Sequence, residues 1–152
     1  MMRHLIKFLG AGLAIVIMGS SALYATRYIN DQRDPRRKVE RSMKEIEKKY
    51  AEDPYGGETP EETLRLFINA LKKGDTELAA KYFVLDSQQQ WKEDLAKIKE
   101  KNLLGDMIRD LEKARLNNIE NDLARYYLIN EEGYGSPLTL IKIINKWKIR
   151  SL

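Results

Sequence analysis

The sequence predicts an α+β protein: helices first, then a four-stranded antiparallel sheet, with the helices packed on one sheet face and a membrane helix and stalk helix ahead of them. Three observations predict it. An uncharged run of 19 residues, Phe8 to Thr26, opens the chain. Apolar residues then recur at helical spacing from Leu64 to Leu111. From Ala114 onward the period drops to two, and turn-forming groups divide that stretch into four runs. Helices followed by strands place the helices to one side of the sheet.

Composition limits the chemistry. A chain of 152 residues with 43% hydrophobic and 33% charged residues suits one domain plus a tail. Residues 1–58 hold 11 Lys and Arg against 8 Asp and Glu, and residues 59–152 hold 16 against 15. The C-terminal part is therefore nearly neutral and lacks the basic face of a nucleic-acid binder. There is no cysteine, so disulfides, thiolate metal sites and cysteine nucleophiles are excluded. The one histidine is His4. Imidazole acid–base catalysis and histidine metal ligation are thereby excluded from residues 59–152. No catalytic, cofactor-binding or metal-binding constellation is legible.

The opening segment reads as a transmembrane anchor or signal peptide over residues 1–29. As a helix, 19 residues span roughly 28 Å, the thickness of a bilayer core. Residues 5–26 would meet the lipid, with Arg3 and Lys7 at one interface and Tyr24 and Tyr28 at the other. Cleavage near Ser20 and Ala22 is the alternative, which would make the protein secreted. The basic cluster Arg33, Arg36, Arg37 and Lys38 draws the following chain toward the cytoplasm, whereas the signal-anchor layout exports it. The expectation is a membrane-anchored, extracytoplasmic domain.

Residues 30–58 read as a charged stalk helix and linker. Asp34 and Pro35 suit a helix start. Val39, Met43, Ile46 and Tyr50 form a thin helical stripe, and Glu40–Lys44 and Glu45–Lys49 are favourable pairs one turn apart. A basic patch touching anionic lipid is the other reading of this helix. Asp53-Pro54 and Gly56-Gly57 break it and read as a linker. No phosphate-binding glycine loop fits here, since the fuller motif is missing.

Thr59 begins the domain of residues 59–152. Thr59 is a helix cap, Pro60 sits at the first helical position, and Glu62 completes a capping box. Leu64, Phe67, Ile68 and Leu71 form one face. Lys72, Lys73 and Gly74 close the helix. Asp75 caps a second helix, TELAAKYFV, which turns Leu78, Ala79, Tyr82 and Phe83 inward. Asp86 and Gln89 suggest a further capping box before a helix with Trp91, Leu95 and Ile98 on its apolar face. LLGDMIRDLEKA buries Leu104, Met107, Ile108 and Leu111. The strands are ARLNNI and LARYYLI about Glu120-Asn121-Asp122, then LTLIKII and WKIRSL about Asn145-Lys146. EEGYGSP is a longer turn. Trp147 and Ile149 share one face of the last strand and Lys148 and Arg150 the other. LTLI is apolar on both faces and predicts a strand covered on both sides.

Several of these features carry a resemblance. Thr59-Pro60-Glu61-Glu62, the Lys73-Gly74-Asp75 junction, Tyr82-Phe83 and the hairpin Asn145-Lys146-Trp147-Lys148-Ile149 resemble the nuclear transport factor 2-like, cystatin-like α+β superfamily. The stretch looks most like the small bacterial membrane-anchored or lipoprotein-type domains of unknown function in that superfamily, and the resemblance covers about Thr59 to Leu152. The resemblance implies a curved sheet wrapped around helices, a cone with an internal pocket. Enzymes of that superfamily place acidic, tyrosine or histidine groups in the pocket, and no such residue carries over onto this sequence. Other relatives are binding, dimerisation or adaptor modules. Relatives with lipoprotein signals carry a cysteine, which this chain lacks, and that favours a transmembrane tether.

The functional expectation is a membrane-tethered, non-catalytic module that binds a partner protein, a peptide or a small molecule. A cone-pocket enzyme of the lyase or isomerase kind, and a structural component dimerising through its sheet face, are the alternatives. Tyr82, Trp91, Tyr126, Tyr127 and Trp147 are the residues large enough to line a pocket, with ordinary core packing as the other reading.

Overall fold

A computed structural model describes residues 35–129 and 135–152. The expected anchor or signal peptide and the cap at Asp34 lie outside the described residues. Among the described residues, no helix is long and apolar enough to cross a membrane. The chain divides into two compact units, Met1–Lys48 and Lys49–Leu152.

Helix α1 (Pro35–Glu52) starts on its proline and buries no residue. Its stripe is exposed: Val39 at 56%, Met43 at 62% and Ile46 at 52%. Lys44 and Glu40 pair across one turn at 2.8 Å. The last turn of α1, from Lys49, belongs to the second unit.

In that unit, α2 (Pro60–Lys72) is capped by the Thr59 hydroxyl, which accepts the Glu62 N–H. The Glu62 carboxylate reaches back to the Glu58 N–H, one residue before the cap. Lys73 and Gly74 end α2, with Gly74 at φ +68°, a conformation glycine adopts without strain. Asp75 caps α3 (Thr76–Ala80) by accepting the Leu78 N–H. This helix is shorter than its apolar pattern predicts. Phe83 instead lies in an isolated parallel bridge with Ile149. A 3₁₀ turn, Leu85–Ser87, leads into α4 (Gln88–Glu100). The expected Asp86–Gln89 capping box does not form: Ser87 occupies the cap, its hydroxyl donating back to the Val84 carbonyl instead of accepting a helix N–H, and Asp86 lies in the turn. Helix α5 (Leu104–Glu112) follows.

Strands β1 (Arg115–Glu120), β2 (Leu123–Ile129), β3 (Gly135–Ile143) and β4 (Lys146–Ser151) form an antiparallel meander in that order. The first hairpin turns at Asn121-Asp122, with Asn121 at φ +52°. The last turns at Ile144-Asn145, one residue earlier than the sequence suggests, and Ile144 takes φ +57°. Strand β3 also begins earlier, absorbing the end of the expected turn. Pro137 is paired with Tyr127, beyond the last contact of β3 with β4 at Thr139–Ser151. Proline is tolerated there because no ladder bond is asked of its missing N–H on that side. Extra residues at Asn117 in β1 and Arg150 in β4 make two bulges, which bend and twist their strands.

One sheet face carries the core. Ala124, Tyr126, Leu138, Leu140, Trp147 and Ile149 meet Leu64, Phe67 and Leu71 of α2, Phe83, Leu95 of α4 and Leu111 of α5. Phe83 joins these layers, packing edge-on to Phe67 at 5.4 Å and stacking on Trp91 at 4.2 Å.

Candidate functional site

The segment Asp53–Gly57, expected as a linker, is built onto the edge of β4. The Trp147 N–H donates to the Gly57 carbonyl at 2.9 Å. The buried Thr63 hydroxyl accepts the Gly57 N–H at 2.9 Å and donates to the Trp147 carbonyl at 3.1 Å. Gly56, at φ +111°, passes so close to β4 that a Cβ would stand 2.5 Å from the Trp147 oxygen. The glycines thus permit a close backbone approach.

Lys148 completes this junction. It lies on the opposite face of the last strand from Trp147 and Ile149, as its position requires, yet it is 1% exposed. Its ammonium donates to Asp53 Oδ2 at 2.7 Å and to the Lys81 carbonyl at 2.9 Å. Burial pushes the Lys148 ammonium below the ordinary lysine range, and the Asp53 carboxylate opposes that shift. The enclosure leaves no route for a substrate to its nitrogen, so Lys148 is a structural cation, paired because an unpaired one would be costly there.

An open groove of about 370 Å³ runs between α2, α5 and β2. Leu64, Ile68, Leu111 and Ala114 give it an apolar floor, and Glu61, Arg65 and Lys72 stand on its rim. Tyr126, only 4% exposed, donates its hydroxyl to Glu61 Oε1 at 2.7 Å. Burial raises the Tyr126 phenol well above its ordinary value, and the bond to the anionic Glu61 raises it further. Glu61 itself is exposed. The pair therefore ties the first turn of α2 to the sheet beside water, rather than holding a desolvated carboxylate against a substrate. Among the described residues, no group of three or more His, Cys, Asp and Glu is placed to hold a metal ion.

The second sheet face is open along β2 and β3 and closed at β4, where Lys148, the cross-strand partner of Ile141, is buried against Asp53. Cross-strand partners share a face, so Leu123 and Ile141 stand side by side there, as do Tyr127 and Pro137, with Arg125 and Thr139 between them. Ile143 extends this surface beside Lys146. Tyr127 is 44% exposed, and Leu123, Ile141 and Ile143 lie outside the core. The doubly apolar LTLI run is thus buried on one side only. Leu138 and Leu140 are enclosed, whereas Thr139 and Ile141 are half-buried.

Four of the five aromatic residues singled out from the sequence share the core, with Tyr82, Tyr126 and Trp147 buried in it and Trp91 packed against it. Tyr126 lines the groove. Tyr82 packs edge-on against Tyr55 at 6.2 Å, Trp91 stacks on Phe83, and Trp147 belongs to the core. Tyr127 points to the opposite sheet face from Tyr126, since adjacent strand residues alternate. Sequence reasoning missed Glu61 as a cross-layer partner and Lys148 as a buried one. Their distant partners, 65 and 95 residues away in sequence, left no local signal.

No protein-family model matches the chain, and no curated protein or solved structure matches it.

Proposed function

We propose that the chain is a membrane-tethered, non-catalytic binding module, held to the bilayer through residues 5–26. Its domain, a cone-like member of the nuclear transport factor 2-like superfamily, stands outside the cytoplasm and takes a protein partner on the outer sheet face. The observation that carries this reading is the half-exposed surface of Leu123, Tyr127, Ile141 and Ile143, apolar yet excluded from the core. Apolar side chains that stand together on an exposed face favour a docking role over a purely solvated one when the patch is contiguous. The groove beside Tyr126 is open and rimmed by charge, which suits a small-molecule pocket less well.

The test uses the full chain in intact membranes. A photocrosslinking residue at Tyr127 should capture a partner, whereas one at exposed Lys97 should not. Equal capture at both positions, or none at Tyr127, defeats the proposal. External protease should reach the domain in intact cells, and protection of the domain would place it on the cytoplasmic side.

A second reading, a lyase or isomerase, draws on the Tyr126–Glu61 hydrogen bond. It requires that Glu61→Gln abolish a turnover that the native protein performs. A third, dimerisation through the outer sheet face, is separated from partner binding by whether Tyr127→Ser and Ile141→Ser together reduce the size of the purified full chain.

A further inference from the structure

Among the described residues, the sheet has one edge that is bridged and one that is not. The outer edge of β4 is occupied by the bridges to Gly57 and Phe83. Strand β1 pairs with β2 on one side, and among the described residues no strand or bridge lies on its other side. Its residues are exposed, with only Asn118 half-buried. An edge of this kind presents a row of backbone donors and acceptors ready for another strand.

The side chains of β1 say what strand would fit. The bulge at Asn117 puts Leu116 and Ile119 on the same face, because Leu116 is opposite Tyr126 and Ile119 opposite Ala124, both core residues. Leu116 and Ile119 are nonetheless 45% and 47% exposed, since the helical layer does not reach them. Arg115 and Glu120 lie on the opposite face, across from Tyr127 and Leu123. The strand therefore begins with a cation and ends with an anion, Glu120, which already accepts from Arg125 of its own chain at 3.2 Å, with one apolar residue just inside each end.

We propose that β1 pairs antiparallel with β1 of a second copy, so that one sheet runs continuously through two molecules. Under a two-fold axis between the two central asparagines, Arg115 faces Glu120 of the partner subunit and Leu116 faces Ile119 of the partner subunit. Each contact occurs twice, as a self-complementary interface requires. Both apolar residues leave water, and no like charges stand opposite one another. A bulge at an edge ordinarily discourages pairing. Here it creates the matched face, and the charge order selects the same strand in reverse as the complement. This interface uses the sheet edge and is independent of the partner surface on the outer face.

The experiment is sedimentation of the full chain in detergent across a range of protein concentrations. Six residues of pairing make a small interface, so association should grow with concentration. Arg115→Glu places acids opposite each other, and Glu120→Arg places bases opposite each other. Each variant alone should associate about tenfold more weakly than the native chain. Mixed in equal amounts, the two should associate again, since every contact in the mixed pair joins opposite charges. Loss of folding in either variant could not produce that recovery. Failure of the mixture to recover, or undiminished association of either variant alone, overturns the proposal. A native chain that stays monomeric at every concentration also overturns it, leaving the bulge as a guard of the edge. If Tyr127→Ser and Ile141→Ser together abolish association while the charge variants do not, the copies meet through the outer face instead.

Discussion

Tyr126 carries two burdens, because its ring is in the core while its hydroxyl holds the Glu61 carboxylate on α2. Its folded-state pKa is raised above the ordinary 10.0. The folded protein therefore keeps a proton that the unfolded chain releases, so Tyr126 contributes stability below about pH 10 that is lost as pH rises further. Unfolding free energies measured from about pH 9.5 to 11.5 should fall more steeply for the native protein than for Tyr126→Phe. Parallel slopes would show that the phenol is not held in this way. The aromatic character of position 126 was legible in the sequence, and so was its place on a strand. Its partner was not. Glu61 reads locally as a helix-start acid, and only the fold sets it 2.7 Å from a tyrosine 65 residues later.

At the level of elements, starts and stops were the most legible features. Thr59 and Asp75 cap α2 and α3 as their types require, and the switch of period near Ala114 places the first strand within a residue of Arg115. The misread elements share one cause: a tertiary contact outweighed a local pattern. TELAAKYFV has helical spacing, but backbone bonds to β4 take over at its end, where Tyr82 accepts from the Ile149 N–H and Val84 donates to the Ile149 carbonyl. Gly56-Gly57 looks like a flexible break, yet it is a seam against β4. Gly56→Ala should consequently destabilise the protein by on the order of 1–3 kcal/mol, from its positive φ alone and more from the clash with the Trp147 carbonyl. Chemical denaturation would measure this. A change of a few tenths would mean that the segment is free of the sheet, as a linker would be.

Across the whole molecule, the Lys148–Asp53 pair joins the segment leaving α1 to the last strand, with both side chains nearly sealed from water at 2% and 7% exposure. Asp53→Ala should cost about 3–5 kcal/mol, because it strands a buried cation. Asp53→Leu combined with Lys148→Met should cost far less than the single change, because removing both charges removes the need for pairing. Additive losses in thermal or denaturant unfolding would show that the two residues act separately. The sequence by itself determined the α+β order, the helix boundaries set by caps, the near-neutral domain, and the absence of cysteine and of histidine beyond His4. These are properties of composition or of consecutive residues, in which each signal lies within a turn or two of the structure it specifies. Only the tertiary structure decided that Asp53–Gly57 is part of the domain, that Lys148 is buried, that Tyr126 and Tyr127 fall on opposite sheet faces, and that β1 pairs on one side alone among the described residues. Each of these depends on which distant segment reaches a surface first. Desolvation and hydrogen-bond satisfaction act on those spatial neighbours, wherever they stand in the chain.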